Sequence, residues 1–235
     1  MKKLLGIIML VAAFNVTAQT NSNLLEHYKA YYKQMQKQGD TQGVINALTH
    51  LSILEPSQAR LDTLAVMYMN AGQHALAINT IGYDKKADGS DMAVETKAIC
   101  LKALNQPQLA LEQYEELFKR VPNVMVAYEL ADLKIQLNDT TGAAINITYG
   151  LANATDDMLR AYYESQTPYQ VPVKAGFTYL KGILKFRENE NNIDGAIALF
   201  DEALAMAPNF NLASLGKQAL ESRKNQPAST DGQKN

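Results

Sequence analysis

The residues best suited to catalysis or metal binding are few and lie far apart along this chain. His27, His50 and His74 form no pair at the i, i+4 spacing that places two metal ligands on one helix face. The single cysteine, Cys100, falls on an apolar stripe, which predicts a buried and unreactive thiol. The sequence also lacks the phosphate-binding, dinucleotide-binding and serine-hydrolase motifs. It therefore predicts neither an enzyme nor a cofactor or metal site.

The charge balance argues against nucleic acid as a partner. The chain has 22 Lys and Arg against 24 Asp and Glu. Without Lys2 and Lys3, which lie in a predicted leader described below, the balance is 20 against 24. No basic excess remains to attract nucleic acid or anionic lipid. A single cysteine also excludes an internal disulfide, so stability must come from packing.

A fixed spacing of 33 residues organises most of the chain. It relates Val44, Ala77, Ala110 and Ala143. Two further columns keep the same step: Tyr32, Ala65, Ala98 and Ala131; and Leu48, Ile81, Tyr114 and Ile147. A period of this length indicates stacked supersecondary units, each of which buries its apolar face against its neighbours.

Each unit has the pattern of two helices separated by a break. In residues 58–90 the apolar positions Leu61, Leu64, Ala65 and Tyr68 follow the i, i+3, i+4, i+7 spacing of one helix face. The segment 70–72 then ends the helix, because Gly72 can adopt the left-handed conformation of a helix terminus. Similar breaks lie at 39–40, 105–107 and 138–139. The predicted units lie near 23–56, 58–90, 91–123, 124–156 and 174–208.

These units resemble the tetratricopeptide repeat. That family has a small residue in the first helix, an aromatic residue three positions later, then Ala and a large residue in the second helix. Ala65, Tyr68, Ala77 and Ile81 match this pattern, and the phrase IDGAIALFDEALAMAP before residue 209 matches it best. Two features depart from the family: the step is 33 rather than about 34 residues, and no Trp is present. Ankyrin repeats also have a step of about 33, but their T-P-L-H phrase is absent.

The resemblance implies an all-α fold, a right-handed α-solenoid of helix pairs over 19–224. An amphipathic segment at 209–224 is the predicted capping helix, since a solenoid needs a polar outer face at its end. In the family, the first helix of each pair lines a concave groove. Carried over by position, the candidate groove residues are Asp62, Val66, Met69, Asn70, Glu95, Ile99, Lys102, Tyr128, Asp132 and Gln136.

The function implied by the resemblance is a non-catalytic scaffold that binds an unidentified protein or peptide in this groove. Mixed polar and apolar side chains suit such a surface. The alternative is an accessory structural subunit of an envelope assembly or enzyme complex, which would make contact through its ends or its convex face. Substitutions in the groove would abolish binding under the first hypothesis and not under the second.

The period fails once, between Ala143 and Ala196. These are 53 residues apart, or 33 plus 20, which places an irregular insert at about 153–173. The carboxylates at 156–157 suit a helix start, so a short helix is predicted for 158–165. Residues 166–172 should be extended, because each residue before a proline is pushed out of the helical region.

Tyrosines are concentrated in this insert. Either they pack back on the array as part of a degenerate repeat, or they belong to a loop that contacts a ligand. We expect packing for Tyr162 and Tyr163. Tyr169 lies between two prolines, and we expect it to be exposed as a candidate loop contact.

The two ends of the chain have the patterns of processing and disorder. Lys2 and Lys3 precede an apolar run over 4–14, and small residues precede Ala18, which predicts a signal peptide over 1–18. The alternative is an uncleaved anchor, but the run has 11 residues and a span needs about 20. No later segment is apolar enough to span a membrane. The expected product is exported to the periplasm or secreted, with a disordered polar tail at 225–235.

Overall fold

The computed structural model describes residues 22–84 and 89–225, which are mainly helical. The predicted signal peptide lies outside these residues, as does the predicted tail apart from Asn225. Within the described ranges the helices are α1 over 22–38, α2 (Thr41–Leu54), α3 (Gln58–Asn70), α4 (His74–Ile81), α5 (Asp91–Ala103), α6 (Pro107–Arg120), α7 (Val124–Gln136), α8 (Thr140–Asn153), α9 (Val173–Glu188), α10 (Ile193–Met206) and α11 (Asn211–Asn225). The predicted all-α fold is confirmed.

The helices pack in consecutive pairs, and small residues lie where the pairs meet. Helix α3 packs on α4, α7 on α8, and α9 on α10. Ala65 and Ala77 in one pair, and Ala131 and Ala143 in another, have no solvent exposure. A methyl side chain at these positions lets two helix backbones approach closely, as the sequence columns predicted.

The ends of the first helices repeat the same backbone conformation. A positive φ occurs at four positions spaced 33 residues apart, Gly39, Gly72, Asn105 and Asn138, with values of 70°, 72°, 55° and 61°. In one of these turns the N–H of Gln106 donates to the carbonyl of Leu101 at 2.9 Å, the six-to-one bond of a Schellman motif. Gly and Asn tolerate this left-handed conformation best, which is why the predicted breaks fall here.

The starts of three first helices also share a column. Ser57, Ser90 and Asn123 are N-cap residues 33 positions apart, and each side chain accepts a hydrogen bond from the backbone N–H three residues later. The bonds measure 3.3, 3.1 and 2.9 Å. Each cap satisfies a helix donor that would otherwise lack a partner.

The chain forms two compact units, one through residue 113 and the other from residue 114. In the first, Val44, Ile45, Leu48 and Leu64 form a buried cluster. The core of the second unit is larger and rich in aromatic residues. Its fully buried side chains include Phe177, Phe200 and Phe210.

The segment between α8 and α9 is a β-hairpin, so the predicted short helix over 158–165 is wrong. Strand β1 (Leu159–Tyr162) pairs antiparallel with β2 (Tyr169–Pro172), and Arg160 lies opposite Val171. The prediction of extended structure is confirmed for β2. Along β1, Leu159 is exposed, Arg160 and Ala161 are partly buried, and Tyr162 is buried. The acidic pair at 156–157 lies in a turn before β1 and does not start a helix.

Helix α11 packs on α10 at the position predicted for the capping helix. It buries Ala213 and Leu220. Lys217 and Lys224 of α11 pair with Asp201 and Asp194 of α10, each at 2.6 Å. These pairs are exposed and add little stability, so the buried apolar residues hold this helix in place.

Candidate functional site

Asp62 is covered within the first unit, although its sequence position predicted an open groove. It is only 4% exposed. Its carboxylate accepts hydrogen bonds from Ser90 Oγ at 2.6 Å and from Gln58 Nε2 at 2.8 Å. Because Ser90 is the N-cap of α5, Asp62 links the start of α5 to α3. The structure gives this residue a role in helix packing.

The other candidate positions of the first unit reach solvent. Helices α3 and α5 lie side by side, and these candidate positions on each carry side chains that are partly buried or exposed. We call this surface the α3–α5 face, and it consists of Val66, Met69, Asn70, Glu95, Ile99 and Lys102. All except Asn70 and Glu95 are partly buried.

The chemistry of the α3–α5 face suits contact with a polypeptide. Val66, Met69 and Ile99 supply apolar area that a partner could cover, and each would gain about 25 cal/mol for every Å² removed from water. Glu95 and Lys102 carry opposite charges, so the face has no strong preference for the sign of a ligand's charge. An apolar centre with polar neighbours is the usual arrangement of a protein-binding surface.

In the second unit the groove prediction fails for Tyr128. This residue is 3% exposed, because the β-hairpin packs over it. Its hydroxyl forms a hydrogen bond with the hydroxyl of Tyr162 at 2.8 Å. Of the other two candidates on α7, Asp132 is partly buried and Gln136 is exposed, and Gln136 Nε2 donates to Asp132 Oδ2 at 3.3 Å.

Arg160 fastens the hairpin to α7. Its guanidinium lies 4.0 Å from the centre of the Tyr128 ring, a cation–π contact. The same group pairs with Glu129 at 2.7 Å. Both charged side chains are largely buried, so the attraction between them is screened less than on the surface. The hairpin is therefore a fixed part of the second unit.

Burial changes the acidity of the tyrosines at this contact. Desolvation raises the pKa of Tyr162 to about 12. It also raises the pKa of Tyr128 well above its ordinary value, and the nearby Tyr162 adds to that increase. Both hydroxyls therefore stay protonated at neutral pH, where one can donate to the other.

The three tyrosines of the insert have different environments. Tyr162 is 7% exposed, so its predicted packing is confirmed, whereas Tyr163 is 75% exposed and the same prediction is wrong for it. Tyr169 is partly buried: its ring stacks on Tyr162 with centres 5.6 Å apart, and its hydroxyl donates to Glu164. The candidate loop contact Tyr169 is thus largely engaged within the hairpin, and Tyr163 is the aromatic side chain that faces solvent.

The first unit contains a cleft that was not predicted from the sequence. It has a volume of about 590 Å³ and lies among α1, α2, α3 and α4. Its lining includes Tyr28, Tyr31 and His50, and the rings of Tyr28 and His50 stack with centres 4.2 Å apart. The remaining lining consists of His27 and of side chains with amide, hydroxyl or apolar groups. Nothing in the spacing of these residues predicted that they would meet.

Similarity to known proteins comes from structure alone. No protein-family model matches the chain, and no curated protein matches it in sequence. A tetratricopeptide repeat protein from Parabacteroides merdae is similar over 85% of this chain and 73% of its own, with a TM-score of 0.64 and 18% identity. MamA from Desulfovibrio magneticus covers 80% of this chain and 97% of its own, with a TM-score of 0.59 and 14% identity. This chain has the tetratricopeptide-repeat fold.

A third similar structure is the Cut9–Hcn1 assembly of APC/C. Its matched chain covers 89% of this chain and 41% of its own length, at a TM-score of 0.51 and 14% identity. At these identities the likeness establishes the fold and not the partner. Within a tetratricopeptide-repeat fold, α3, α5 and α7 are first helices of their pairs, and the candidate positions lie on them.

Cys100 does not have the environment of a reactive thiol. Cys100 is fully buried, and desolvation raises the pKa of its thiol to about 11, so it remains a neutral thiol at physiological pH. Within 22–84 and 89–225, no group of three or more His, Cys, Asp or Glu residues is arranged to hold a metal ion. None of the helices in those ranges has the length and apolar character needed to cross a membrane.

Proposed function

We propose that this protein is a non-catalytic interaction scaffold, exported to the periplasm or secreted, which binds a peptide or protein on its α3–α5 face. One observation carries the proposal: Val66, Met69 and Ile99 place partly exposed apolar area on adjacent first helices of a tetratricopeptide-repeat fold. The polar side chains Asn70, Glu95 and Lys102 lie on the same face. Solenoid repeats of this class commonly bind polypeptides through such extended surfaces.

The proposal of export rests on the sequence at the N terminus. A cationic pair, an apolar run and a small residue at position 18 have the pattern of a secretory signal. Mass spectrometry of the protein from its native host should find Gln19 as the first residue. A chain that keeps residues 1–18 and fractionates with the cytoplasmic membrane would contradict export.

A second candidate function is an accessory subunit that makes contact through second helices. Two exposed apolar side chains favour it: Ile53 on α2 is 73% exposed, and Ile145 on α8 is 65% exposed. Large apolar residues with this exposure are candidates for contact with another subunit.

One capture experiment separates the two functions. The tagged protein is crosslinked in its native host, and the captured partners are identified and quantified for the unchanged chain and for Ile99→Asp and Ile145→Asp. Loss of a partner in Ile99→Asp alone supports the α3–α5 face, and loss in Ile145→Asp alone supports the accessory subunit. Circular dichroism of each variant checks that the fold is kept. A partner retained by both variants would contradict both functions.

A further inference from the structure

The hydrogen-bond register of the hairpin determines which backbone groups of β1 point away from β2. The N–H of Val173 donates to the carbonyl of Met158 at 2.8 Å, so this pair is hydrogen-bonded. In an antiparallel ladder such pairs alternate with non-bonded pairs. The pairs Arg160–Val171 and Tyr162–Tyr169 are therefore also hydrogen-bonded. The N–H and carbonyl groups of Leu159 and Ala161 therefore point outward from the hairpin.

Two further observations agree with this register. Pro172, which lies opposite Leu159, has no N–H and so fits only a non-bonded pair. Gln170 lies opposite Ala161, and its carbonyl accepts a hydrogen bond from Asn209 Nδ2 at 3.3 Å, outside the ladder. The outer edge of β2 is thus partly satisfied by the loop between α10 and α11.

The outer edge of β1 differs from that of β2. Among the residues that the structure describes, none forms a hydrogen bond with the backbone of Leu159 or Ala161. Leu159 is 51% exposed and Tyr163 is 75% exposed. A strand edge with open donors and acceptors can pair with a further strand, and its exposed apolar side chains add contact area.

The edge is also held rigidly, which favours binding. The side chains of Arg160 and Tyr162 point to the other face of the hairpin and contact Tyr128 on α7. The conformational entropy of β1 is therefore already lost when the protein folds, and not when a ligand binds. Preorganisation of this kind raises affinity because fewer conformations are lost on association.

We propose that β1 binds an extended peptide segment of a partner protein, which adds to the hairpin as a third strand. The segment should carry apolar residues at alternate positions, since every second side chain would share the exposed face with Leu159 and Tyr163. It should be neutral or basic, because the acidic residues Asp157 and Glu164 lie two positions beyond the two ends of β1. It should have no proline where its N–H faces β1.

This site goes beyond the proposed function and rests on it only in that both take a polypeptide partner. The α3–α5 face belongs to the first unit and β1 to the second, so variants can test them separately. A second copy of this chain could also offer its own β1 edge, and the experiment must distinguish that case.

The experiment uses a displayed library of random nonapeptides, selected on the whole chain. Each selected peptide is synthesised, and its Kd is measured by isothermal titration with the unchanged chain, Ala161→Pro and the control Ala161→Ser. Proline removes one outward N–H and leaves the ladder bonds of Arg160 and Tyr162, whereas serine keeps the outward N–H. We expect at least a tenfold weaker Kd for Ala161→Pro and less than a twofold change for Ala161→Ser.

A second measurement does not depend on the variant folding. Each selected peptide is remade with N-methyl groups on one alternate set of amides or on the other, and both forms are titrated against the unchanged chain. Strand addition requires that one set abolish binding and that the other leave it nearly unchanged. Equal effects of the two sets, or no peptide that depends on Ala161, would overturn the proposal.

Two outcomes assign the binding elsewhere. Peptides weakened by Ile99→Asp and not by Ala161→Pro would support the α3–α5 face and overturn the strand site. A dimer in sedimentation velocity that is lost in Ala161→Pro would show that a second copy occupies the edge, and this too would overturn a peptide partner. A peptide weakened by Ala161→Pro and unaffected by Ile99→Asp would support the strand site while leaving the α3–α5 face without this ligand.

Discussion

Replacement of Tyr162 by alanine should destabilise the second unit strongly, whereas the same change at Tyr163 should not. The two residues are adjacent and chemically identical, which makes each the matched control of the other. They differ in environment: Tyr162 is 7% exposed and Tyr163 is 75% exposed. The variants Tyr162→Ala and Tyr163→Ala have the same amino-acid composition. A difference in their stability therefore tests which side chain of this segment points into the core.

The expected magnitude follows from the contacts of Tyr162. Its ring packs on Phe210 with centres 5.0 Å apart and stacks on Tyr169 at 5.6 Å. Truncation of a large aromatic residue in a core costs about 3–5 kcal/mol. Tyr162→Phe keeps the ring but leaves the Tyr128 hydroxyl without its 2.8 Å partner, which should cost about 1–3 kcal/mol. Tyr163→Ala should change the free energy of unfolding by less than about 0.5 kcal/mol.

The assay is urea unfolding followed by circular dichroism, combined with native-state hydrogen exchange. Two compact units can unfold in separate transitions, so a global midpoint alone is insufficient. Exchange of the amides in α7 and the hairpin reports on the second unit directly. The expected order of destabilisation is Tyr162→Ala, then Tyr162→Phe, then Tyr163→Ala. Equal stability of the two alanine variants would refute the assignment of β1 as a strand with Tyr162 inward.

Two further predictions use other parts of the fold, and a third concerns the ionisation of the Tyr128 and Tyr162 hydroxyls. Gly150→Ala should lower the free energy of unfolding by about 1–3 kcal/mol, because the new methyl carbon would lie 2.0 Å from the Phe177 ring where α8 packs on α9. An unchanged melting temperature would contradict that packing. Ala98→Leu should cost about 1–3 kcal/mol because Ala98 has no solvent exposure, and thermal melting again provides the test. Stability should also fall as the pH rises from about 10 towards 12: the unfolded chain ionises its tyrosines near 10, whereas burial raises the folded pKa of Tyr162 to about 12 and that of Tyr128 upward as well. Urea midpoints that are constant over this pH range would argue against burial of the two hydroxyls.

The helical part of the fold could be predicted because its determinants are local and repeat. Asn105 and Asn138 each end a helix with positive φ, as Gly72 does in the preceding repeat. Residues that tolerate a positive φ recur every 33 positions, and each of them sets the point where a first helix ends. The alanine columns then set the contact between helices, so the boundaries followed from short-range information.

The hairpin could not be predicted in the same way because it depends on contacts distant in sequence. Tyr128 and Tyr162 are 34 positions apart, and their hydroxyls meet only once the insert folds over α7. The local signal at 156–157 favoured a helix start. The residue types of β1 gave no usable signal either, because the apolar Leu159 is exposed and the charged Arg160 is partly buried.

The candidate groove shows the limit of transferring a position from one repeat to the next. Asp62, Glu95 and Tyr128 occupy equivalent positions 33 residues apart, yet their environments differ. Asp62 is buried against the cap of the next first helix, Glu95 is exposed, and Tyr128 is buried beneath the hairpin. The repeat determines where a side chain leaves its helix, and the neighbouring segment determines whether solvent reaches it. In the second unit the insert covers Tyr128 on the first helix α7, and the β1 edge of the insert is the surface that remains open there. A search for binding residues that examines only first-helix positions would therefore miss the β1 edge.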